Sequence, residues 1–375
     1  MRKLFLAAAL LATCAAHAQP AEWWNKSSQG FRSNAQTARM PASSPPRPLQ
    51  EGAASKDEEA AAAEFARLAK IGFNDKAARS IILARNGRIL FEDRAWHVSR
   101  GITPLGFSVS KSLTGIAVGK ALCSGNIQSL DDRADKYVPR LAGTSWGNST
   151  VRQLLMMGSG AIRTMPVGWK DASTSALHEA IYTGLMKADY VDAMIGADDK
   201  AGPPGDFRYS NYDTIALSLV VEGASRTPFA EFFAKEIWAN VRSEKEGAWM
   251  HTQNNQVAAY VGFSASPRDW VRLGFYVLDS MEEDSCFGRY MREATKKQLT
   301  ADFFSWSYGY QIWTDCISST DAFCFYGYGG QLLVMSLQKR LVMHAHSVSH
   351  SVDGVWLPTY GVVWDKLAVP TNPAP

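Results

Sequence analysis

A chain of 375 residues with 39 Lys and Arg against 36 Asp and Glu carries a formal charge of only +3 at pH 7. This balance excludes a protein that relies on a strongly charged surface to bind nucleic acid or another polyanion. The length exceeds that of an ordinary single domain, so we expect one large domain or two interleaved units around a sizeable core.

The start of the chain has the parts of a secretory signal peptide. A basic start precedes a short apolar run, and Ala16 and Ala18 frame a cleavage site of small residues. We therefore expect residues 1–18 to be removed after Ala18 and the mature protein to be periplasmic or secreted. A lipid anchor on Cys14 is the alternative, although the preceding Thr13 is larger than lipoprotein signals prefer. No stretch is long and apolar enough to predict a transmembrane segment.

The folded part of the chain is expected to begin with a helix and a β-hairpin. Residues 19–56 are rich in Ser, Pro and Ala without sustained periodicity, which predicts a poorly structured leader. Residues 56–71 are alanine-rich with acids first and bases last, which favours a helix. Residues 78–96 hold two β-like runs that meet at Asn86 and Gly87, a dipeptide typical of a tight hairpin.

The remaining elements predict a helical segment inserted between two parts of one sheet. Residues 110–258 have mainly helical patterns, whereas 304–348 contain consecutive antiparallel strands before a closing helix. We therefore expect an α+β fold in which residues 57–109 and 259–375 form a lobe with a central antiparallel sheet flanked by terminal helices. Residues 110–258 would form an inserted all-helical lobe, and the cleft between the lobes is the expected site.

The cysteines and histidines indicate disulfide bonding rather than a metal site. Four cysteines follow the signal peptide, at positions 123, 286, 316 and 324. Cys316 and Cys324 bracket a turn-like segment that a disulfide would close, while the sequence leaves three pairings open. The cysteine spacing matches no zinc motif, and His344 and His346 lack a neighbouring acid or third histidine. We expect neither a metal ion nor another cofactor.

Ser108 and Lys111 stand three residues apart at the start of a small, apolar segment. On a helix these side chains share one face, so the lysine amine reaches the serine hydroxyl. A serine becomes nucleophilic when a base takes its proton, and burial at a helix N-terminus lowers the pKa of a lysine toward that role. The alternative is an N-cap serine beside a solvated lysine. A second pair, Ser336 and Lys339, lies where a strand leads into a turn, and its side chains are expected to point apart.

A Gly- and Pro-rich loop places Tyr209 and Asn211 two residues apart before an apolar run. A tyrosinate beside an ammonium group relays a proton to and from a serine and on to a leaving group. An asparagine amide orients a substrate carbonyl. A loop tyrosine that only packs is the alternative.

A glycine-rich stretch containing Tyr326, Gly329 and Gly330 precedes a further apolar strand. Consecutive glycines allow a ligand or another backbone to approach closely. A strand N–H there, together with the N–H of Ser108, would form an oxyanion hole. We expect all three residues to contact substrate, although a simple bulge or tight turn accounts for the glycines equally well.

Taken in order, these motifs resemble the serine β-lactamase and penicillin-binding-protein-like superfamily. The motifs are Phe-Ser-Val-Ser-Lys at 107–111, Tyr-Ser-Asn at 209–211 and Gly-Tyr-Gly-Gly-Gln at 327–331. The segments 127–139, 151–160 and 262–274 also resemble the branch that contains class C β-lactamases, esterases and 6-aminohexanoate-dimer hydrolases. The likeness covers roughly residues 57–370 and implies a β-lactamase/transpeptidase-like fold.

The resemblance also implies roles for the site residues. Ser108 would be the acylated nucleophile and Lys111 its general base, with Tyr209 as a shared acid and base. Asn211 would bind substrate or steady Lys111. The implied reaction is a two-step acyl transfer in which water hydrolyses an acyl-enzyme on Ser108, without a metal or cofactor.

One motif departs from the family. Its β-lactamases and peptidases carry Lys-Thr-Gly, or a His variant, on the strand lining the site, but residues 325–327 are Phe-Tyr-Gly here. The missing positive charge favours a small-molecule ester or short linear amide substrate over a lactam. β-Lactamase or D,D-peptidase activity is the alternative. Aromatic residues at 306, 308, 310, 313 and 326 would supply walls for such a substrate, although strand packing explains them equally well.

Two other classes of protein are less well supported by the sequence. An α/β-hydrolase requires Gly-x-Ser-x-Gly, and the sequences around Ser108 and Ser264 both fail at the last glycine. A non-catalytic relative that binds a ligand without turnover remains an alternative, but the joint retention of Ser108, Lys111 and Tyr209 favours an enzyme. The sequence does not define the oligomeric state.

Overall fold

The structure is a computed structural model that describes residues 37–69, 78–96, 98, 101–161, 187–198, 202–301, 305–317, 321–347 and 357–367. Helices predominate between 109 and 241 and strands between 299 and 347, in a mixed α+β arrangement that confirms the predicted fold class. The predicted signal peptide at 1–18 and the first part of the predicted leader, 19–36, lie outside the described residues. Cleavage after Ala18 therefore stays a prediction.

Twelve strands lie in the described part of the chain. They are β1 (Thr37–Met40), β2 (Gln50–Glu51), β3 (Ala78–Arg85), β4 (Arg88–Arg94), β5 (Gly247–Met250), β6 (Phe263–Ser264), β7 (Leu299–Thr300), β8 (Ser307–Tyr308), β9 (Trp313–Thr314), β10 (Phe323–Gly327), β11 (Gln331–Ser336) and β12 (Leu341–Ser347). Nine of these form one sheet in the order β2-β4-β3-β12-β11-β10-β9-β8-β7, and only β2 and β4 pair in parallel. The remaining three form a small antiparallel sheet in the order β1-β5-β6.

The described helices are α1 (Lys56–Leu68), α2 (Val109–Cys123), α3 (Ser145–Asn148), α4 (Val151–Leu155), α5 (Tyr190–Ala197), α6 (Asn211–Ser225), α7 (Phe229–Phe233), α8 (Ala239–Val241), α9 (Pro267–Glu282), α10 (Cys286–Ala294) and α11 (Leu357–Lys366). Two 3-10 turns, Ala134–Lys136 and Pro139–Leu141, and a π-helical turn, Ala234–Trp238, complete them. Within this set, no helix has both the length and the apolar character that a membrane crossing requires.

Local sequence signals account for the first elements. The Ser55 hydroxyl accepts a hydrogen bond from the Glu58 N–H at 3.2 Å and so caps α1, as expected of a serine at a helix N-terminus. Asn86 and Gly87 have φ values of 50° and 74° in the turn that joins β3 to β4. Both the predicted helix and the predicted hairpin are confirmed.

The large sheet separates two hydrophobic cores, because its side chains alternate between its faces. On β3, Ile82 packs into one core and Ile81 into the other. Trp270 of α9 belongs to the first core, whereas Phe65 of α1 and Trp364 of α11 belong to the second. Helices thereby cover both faces of the sheet: α9 lies on one face, and α1 and α11, the first and last of the described helices, lie on the other.

The segment 110–258 is helical over most of its described residues but also contributes β5. That strand pairs with β1 and β6, both of which lie outside the segment. The segment is therefore mainly helical, and the expectation that it is all-helical is wrong at β5. Four residues whose partners are far along the chain leave too short a pattern to be recognised from sequence.

The prediction that residues 19–56 are poorly structured is wrong for 37–56. β1 pairs with β5, and β2 pairs with β4. Between them Arg47 forms an ion pair with Asp279, and its guanidinium lies 5.2 Å from the centre of the Phe275 ring. Pairing and these side-chain contacts, rather than local propensity, order this segment, so its Pro- and Ser-rich composition was misleading.

All four cysteines outside the predicted signal peptide form disulfides. Cys316 pairs with Cys324, which confirms the expected bridge, and Cys123 pairs with Cys286. The second bridge joins the end of α2 to the start of α10. It therefore fixes the far end of the helix that begins at Ser108.

Candidate active site

Ser108 lies at the N-cap of α2, after a tightly constrained approach. Phe107 has a left-handed φ of 49°, which costs energy for a residue with a side chain and persists only where the surroundings fix it. Gly106 has no room for a Cβ, which would lie 2.8 Å from the Trp270 ring. The N–H of Ser108 donates a hydrogen bond to none of the described residues. As an early amide of a long helix, it is suited to an anionic oxygen.

Lys111 is buried one turn further along, beside the Ser108 hydroxyl. Its Nζ lies 3.1 Å from Ser108 Oγ and donates to the Tyr260 carbonyl at 2.8 Å. Burial lowers the pKa of Lys111 well below its ordinary value, because removal from water penalises the ammonium form. The lowered pKa favours the neutral amine, which has the lone pair that a general base requires.

The chain around Tyr260 is fixed against α2 by further hydrogen bonds. Thr114 Oγ1 donates to the Ala259 carbonyl at 3.0 Å. The Phe263 N–H donates to Ser110 Oγ, also at 3.0 Å. These bonds hold the Tyr260 carbonyl in place, so the buried amine has one fixed acceptor and is oriented toward the serine.

Tyr209 completes the group of three side chains. Its hydroxyl is hydrogen-bonded to that of Ser108, and the Nζ of Lys111 lies 5.2 Å from the centre of its ring. The Trp313 ring stacks on it, with centroids 5.7 Å apart and 20° between the planes. Burial raises the pKa of Tyr209. The resting form is therefore the neutral phenol, and the tyrosinate expected from sequence is wrong for this state.

Asn211 is buried at the first residue of α6, two residues after Tyr209. Between them, the Ser210 hydroxyl caps the helix by accepting from the Tyr212 N–H at 3.3 Å. The structure thus keeps Asn211 near the tyrosine. Its role in binding substrate or steadying Lys111 stays a prediction.

Asp213, in the first turn of α6, is a buried acid that sequence analysis did not select. It accepts hydrogen bonds from Ser159 Oγ at 2.7 Å and from Trp146 Nε1 at 3.1 Å. Burial raises the pKa of Asp213 to about 7, against the opposing effect of these hydrogen bonds. Ser159 belongs to the family-like segment 151–160, which was the available signal. The acid ties that segment to the helix that follows Tyr209.

The glycine that meets the nucleophile segment is Gly327, the last residue of β10. A Cβ at this position would lie 2.2 Å from the Gly106 carbonyl oxygen and 3.2 Å from the Ser108 nitrogen. Only a glycine allows this approach. Gly327 lies in the glycine-rich motif but was not among the predicted site residues, although its place at the end of a strand before a turn was a usable signal.

The three residues that were selected in this region lie nearby but have other roles in the fold. Gly329 and Gly330 have φ values of 78° and 85° in the turn between β10 and β11. Tyr326 packs edge-on against Trp306, with centroids 5.4 Å apart. Substrate binding by Tyr326, Gly329 and Gly330 stays a prediction.

The two histidines of the sequence motif lie on β12, as expected of strand residues. His344 stacks on Trp270 at 6.0 Å, and burial lowers its pKa to about 3. Across the described ranges, no three His, Cys, Asp or Glu side chains group so as to hold a metal ion.

Comparison with known proteins agrees with this geometry. The model of the beta-lactamase family matches residues 104–349, and the chain belongs to that family. The match begins just before Ser108 and ends after β12, so it includes every side chain of the candidate active site. Membership of this family confirms the resemblance predicted from sequence, and it supports the predicted enzyme class of serine hydrolase.

One curated protein and two solved structures are similar to this chain. A 6-aminohexanoate-dimer hydrolase from Paenarthrobacter ureafaciens is 26% identical over 189 residues, which cover 46% of this chain and 44% of that protein. The match thus spans less than half the length of this curated relative. A provisionally named 6-aminohexanoate-dimer hydrolase from Bacillus anthracis has a similar structure, with a TM-score of 0.74 at 18% identity over 92% of this chain and 93% of that one. A β-lactamase/D-alanine carboxypeptidase from Pseudomonas syringae has a TM-score of 0.60 at 14% identity, over 82% and 98% of the chains. At these identities the two structures show a shared fold.

Proposed function

We propose that this protein is a periplasmic or secreted serine hydrolase that cleaves esters or short linear amides through an acyl-enzyme on Ser108. The observation that carries the proposal is the contact of the Ser108 hydroxyl with two buried groups. Lys111 Nζ lies 3.1 Å from it, and the Tyr209 hydroxyl is hydrogen-bonded to it. A serine between an amine base and a phenol acid has what acyl transfer requires.

In the first step, Ser108 Oγ bonds to the substrate carbonyl carbon while its proton passes to the neutral amine of Lys111. The carbonyl oxygen gains negative charge, which the N–H of Ser108 and an N–H near Gly327 stabilise. Tyr209 then gives its proton to the leaving nitrogen or oxygen, and the bond from that atom to the carbonyl carbon breaks. The Lys111 ammonium returns a proton to Tyr209, so the side chains end the step as they began.

In the second step, water replaces the serine as nucleophile. The Lys111 and Tyr209 pair accepts a proton from water as its oxygen bonds to the acyl carbon. The bond between Ser108 Oγ and that carbon breaks, and the serine recovers a proton. The products are a carboxylic acid and the alcohol or amine released in the first step.

Two features support esters or linear amides over lactams. Residues 325–327, where relatives that act on lactams carry a cation, are Phe-Tyr-Gly, and Gly327 packs directly on the nucleophile segment. The curated relative is named as a hydrolase of the 6-aminohexanoate dimer. A neutral aromatic strand end favours substrates without an obligatory carboxylate at that point.

Two features support a periplasmic or secreted location. The first 18 residues have the pattern of a cleavable signal peptide. The structure also contains two disulfides, and disulfides persist in oxidising compartments.

The proposal is tested by measuring turnover of a p-nitrophenyl ester, 6-aminohexanoate linear dimer and nitrocefin by the wild type and Ser108→Ala. We expect the wild type to hydrolyse the ester or the linear dimer faster than nitrocefin, and Ser108→Ala to lose turnover of all three. Turnover that persists in Ser108→Ala would refute the nucleophile. A preference for nitrocefin would refute the substrate class and favour the β-lactamase alternative.

A further inference from the structure

The turn between β8 and β9 holds a buried glutamine with an unusual backbone. Gln311 is 1% exposed and has a left-handed φ of 59°. A side chain in that conformation costs energy, and it persists where surrounding contacts fix the residue. The contacts that fix Gln311 come from three different helices.

Every polar group of Gln311 has a partner. Its Nε2 donates to the carbonyls of Leu154 and Leu155 at 3.0 and 3.2 Å, and its N–H donates to the Leu155 carbonyl at 2.8 Å. Its Oε1 accepts from Thr214 Oγ1 at 2.7 Å. Its own carbonyl accepts from Ser112 Oγ at 2.6 Å. Hydrogen bonds inside a core fix the orientation of the side chain and of its partners, which apolar packing alone does not.

These partners belong to the elements that carry the site. Ser112 lies on α2, one turn after Ser108, and Thr214 lies on α6, which begins two residues after Tyr209. The two leucines end α4. The turn also packs tightly on α2, since a Cβ at Gly115 would lie 2.8 Å from the Tyr310 carbonyl oxygen and 3.0 Å from the Cβ of residue 311.

The same turn leads directly to the ring that supports Tyr209. Trp313, two residues after Gln311, stacks on Tyr209, and Tyr308 lies edge-on to it at 6.4 Å. Displacing the turn would therefore move α6 through Thr214 and move the Tyr209 ring through Trp313. Both displacements change how Tyr209 meets Ser108.

We propose that Gln311 is a positioning residue, whose hydrogen bonds to α2, α4 and α6 set the Tyr209 hydroxyl against Ser108 and Lys111. The inference rests on the proposed function, because it assumes that these three side chains perform the reaction. In the described part of the chain, no hydrogen bond joins Gln311 directly to any of these three side chains. It acts by holding Ser112 and Thr214 at a fixed separation.

The test uses Thr214→Val, which removes the hydroxyl that bonds to Gln311 Oε1 while keeping the shape of the side chain. Thr214→Ser is the matched control, because it keeps the hydroxyl and loses only a methyl group. Gln311→Met, which keeps the length and loses the bonds, is the larger change. Ester hydrolysis is measured per active site titrated with a fluorophosphonate, so that unfolded protein does not contribute.

A small misplacement of reacting groups costs roughly tenfold to a hundredfold in rate. We expect kcat to fall by about that factor in Thr214→Val and Gln311→Met while KM stays unchanged, and Thr214→Ser to restore kcat. A lowered melting temperature with wild-type kcat per titrated site in both variants would overturn the inference, since Gln311 would then only stabilise the fold. Equal losses of kcat in Thr214→Val and Thr214→Ser would also overturn it. If Ser108→Ala remains active, the proposed function fails instead, whatever the Gln311 variants do.

Discussion

The chain contains two Ser-x-x-Lys sequences, at 108–111 and 336–339, and they have different surroundings. In the first, both side chains lie on one face of α2, and the buried Lys111 amine contacts the serine. In the second, the Ser336 hydroxyl donates to the Asp321 carboxylate at 2.6 Å. Lys339 Nζ instead donates to the carbonyls of Trp364 and Leu367, both at 2.6 Å.

This difference shows that the Ser-x-x-Lys spacing brings the two side chains into contact only in a suitable secondary structure. A helix brings positions i and i+3 to one face, whereas the end of a strand followed by a turn separates them. Burial without an acidic partner then favours the neutral amine. Lys339 caps the end of α11, where positive charge is stabilising. The same four-residue pattern thus places a buried amine beside a serine in one place and a helix cap in the other.

Replacing the two lysines one at a time gives the largest expected effect. Lys111→Met keeps an apolar side chain in the buried position and removes the amine, so kcat for a p-nitrophenyl ester should fall roughly 10³-fold or more. Lys339→Met should leave kcat unchanged, because its partners are carbonyls at the end of α11. Steady-state kinetics check both variants. Similar rates for the two would contradict the distinction drawn between the sites.

Removing the Tyr209 hydroxyl tests a second difference between the two sites, because Ser108 has a tyrosine partner whereas Ser336 has an aspartate. Tyr209→Phe keeps the ring that stacks on Trp313 and loses the hydroxyl that is proposed to protonate the leaving atom. We expect kcat to fall about 10²-fold. Tyr212→Phe, a nearby change on α6, is the control and should keep wild-type kcat. An unaffected Tyr209→Phe enzyme would show that another group supplies the proton.

The pH dependence of kcat/KM reports the state of the first lysine. A base must be unprotonated, so kcat/KM should rise with pH and then reach a plateau. The midpoint of the rise should lie well below 10.5, because burial lowers the pKa of Lys111. Asp213, whose pKa is raised to about 7, also titrates in this region. The midpoint should therefore be measured in Asp213→Asn as well, and a midpoint that persists there belongs to Lys111. A rise centred near 10.5 would mean an ordinary, solvated lysine.

Stability should also depend on pH around the first site. Burial raises the pKa of Asp213 from 3.8 to about 7, so the folded protein binds more protons than the unfolded chain between these values. The free energy of unfolding should accordingly fall as pH rises through this window, by roughly 1.4 kcal/mol per unit of pKa difference, and level off above it. Asp213→Asn should flatten this dependence in urea titrations. The same slope in the variant would assign the effect to other groups.

The second site should give the smallest effect, and only on stability. Lys339→Met removes a positive charge from the end of α11, which should lower the free energy of unfolding by about 0.3–1 kcal/mol. Urea titration of this variant beside the wild type measures the change. A loss several times larger would mean that Lys339 does more than cap the helix.

Much of this site could be predicted because its residues lie in recognisable local patterns. Helical spacing predicted that Ser108 and Lys111 share one face, and the Tyr-Ser-Asn and glycine-rich motifs favoured this pair over the second Ser-x-x-Lys sequence. The Asn-Gly dipeptide located the first hairpin without any long-range information. The Cys316–Cys324 bridge was also accessible, because it closes a short segment. These features depend on residues close together in sequence.

The features that were missed depend on contacts between distant parts of the chain. Gln311 and Asp213 matter because of partners on other elements, and β1 exists because β5 pairs with it. The resting state of Tyr209 depends on how deeply the folded protein buries it. No local pattern encodes the surroundings of a side chain, so burial and pairing had to come from the structure.

The proposed reaction makes Ser108 the nucleophile, with Lys111 as its base. Peptide mapping by mass spectrometry after reaction with a fluorophosphonate tests it most directly, in the wild type and in Lys111→Met. We predict an adduct on the peptide that contains Ser108, none on the peptide that contains Ser336, and much slower labelling in Lys111→Met. An adduct on another residue, or labelling of Lys111→Met at the wild-type rate, would contradict the claim.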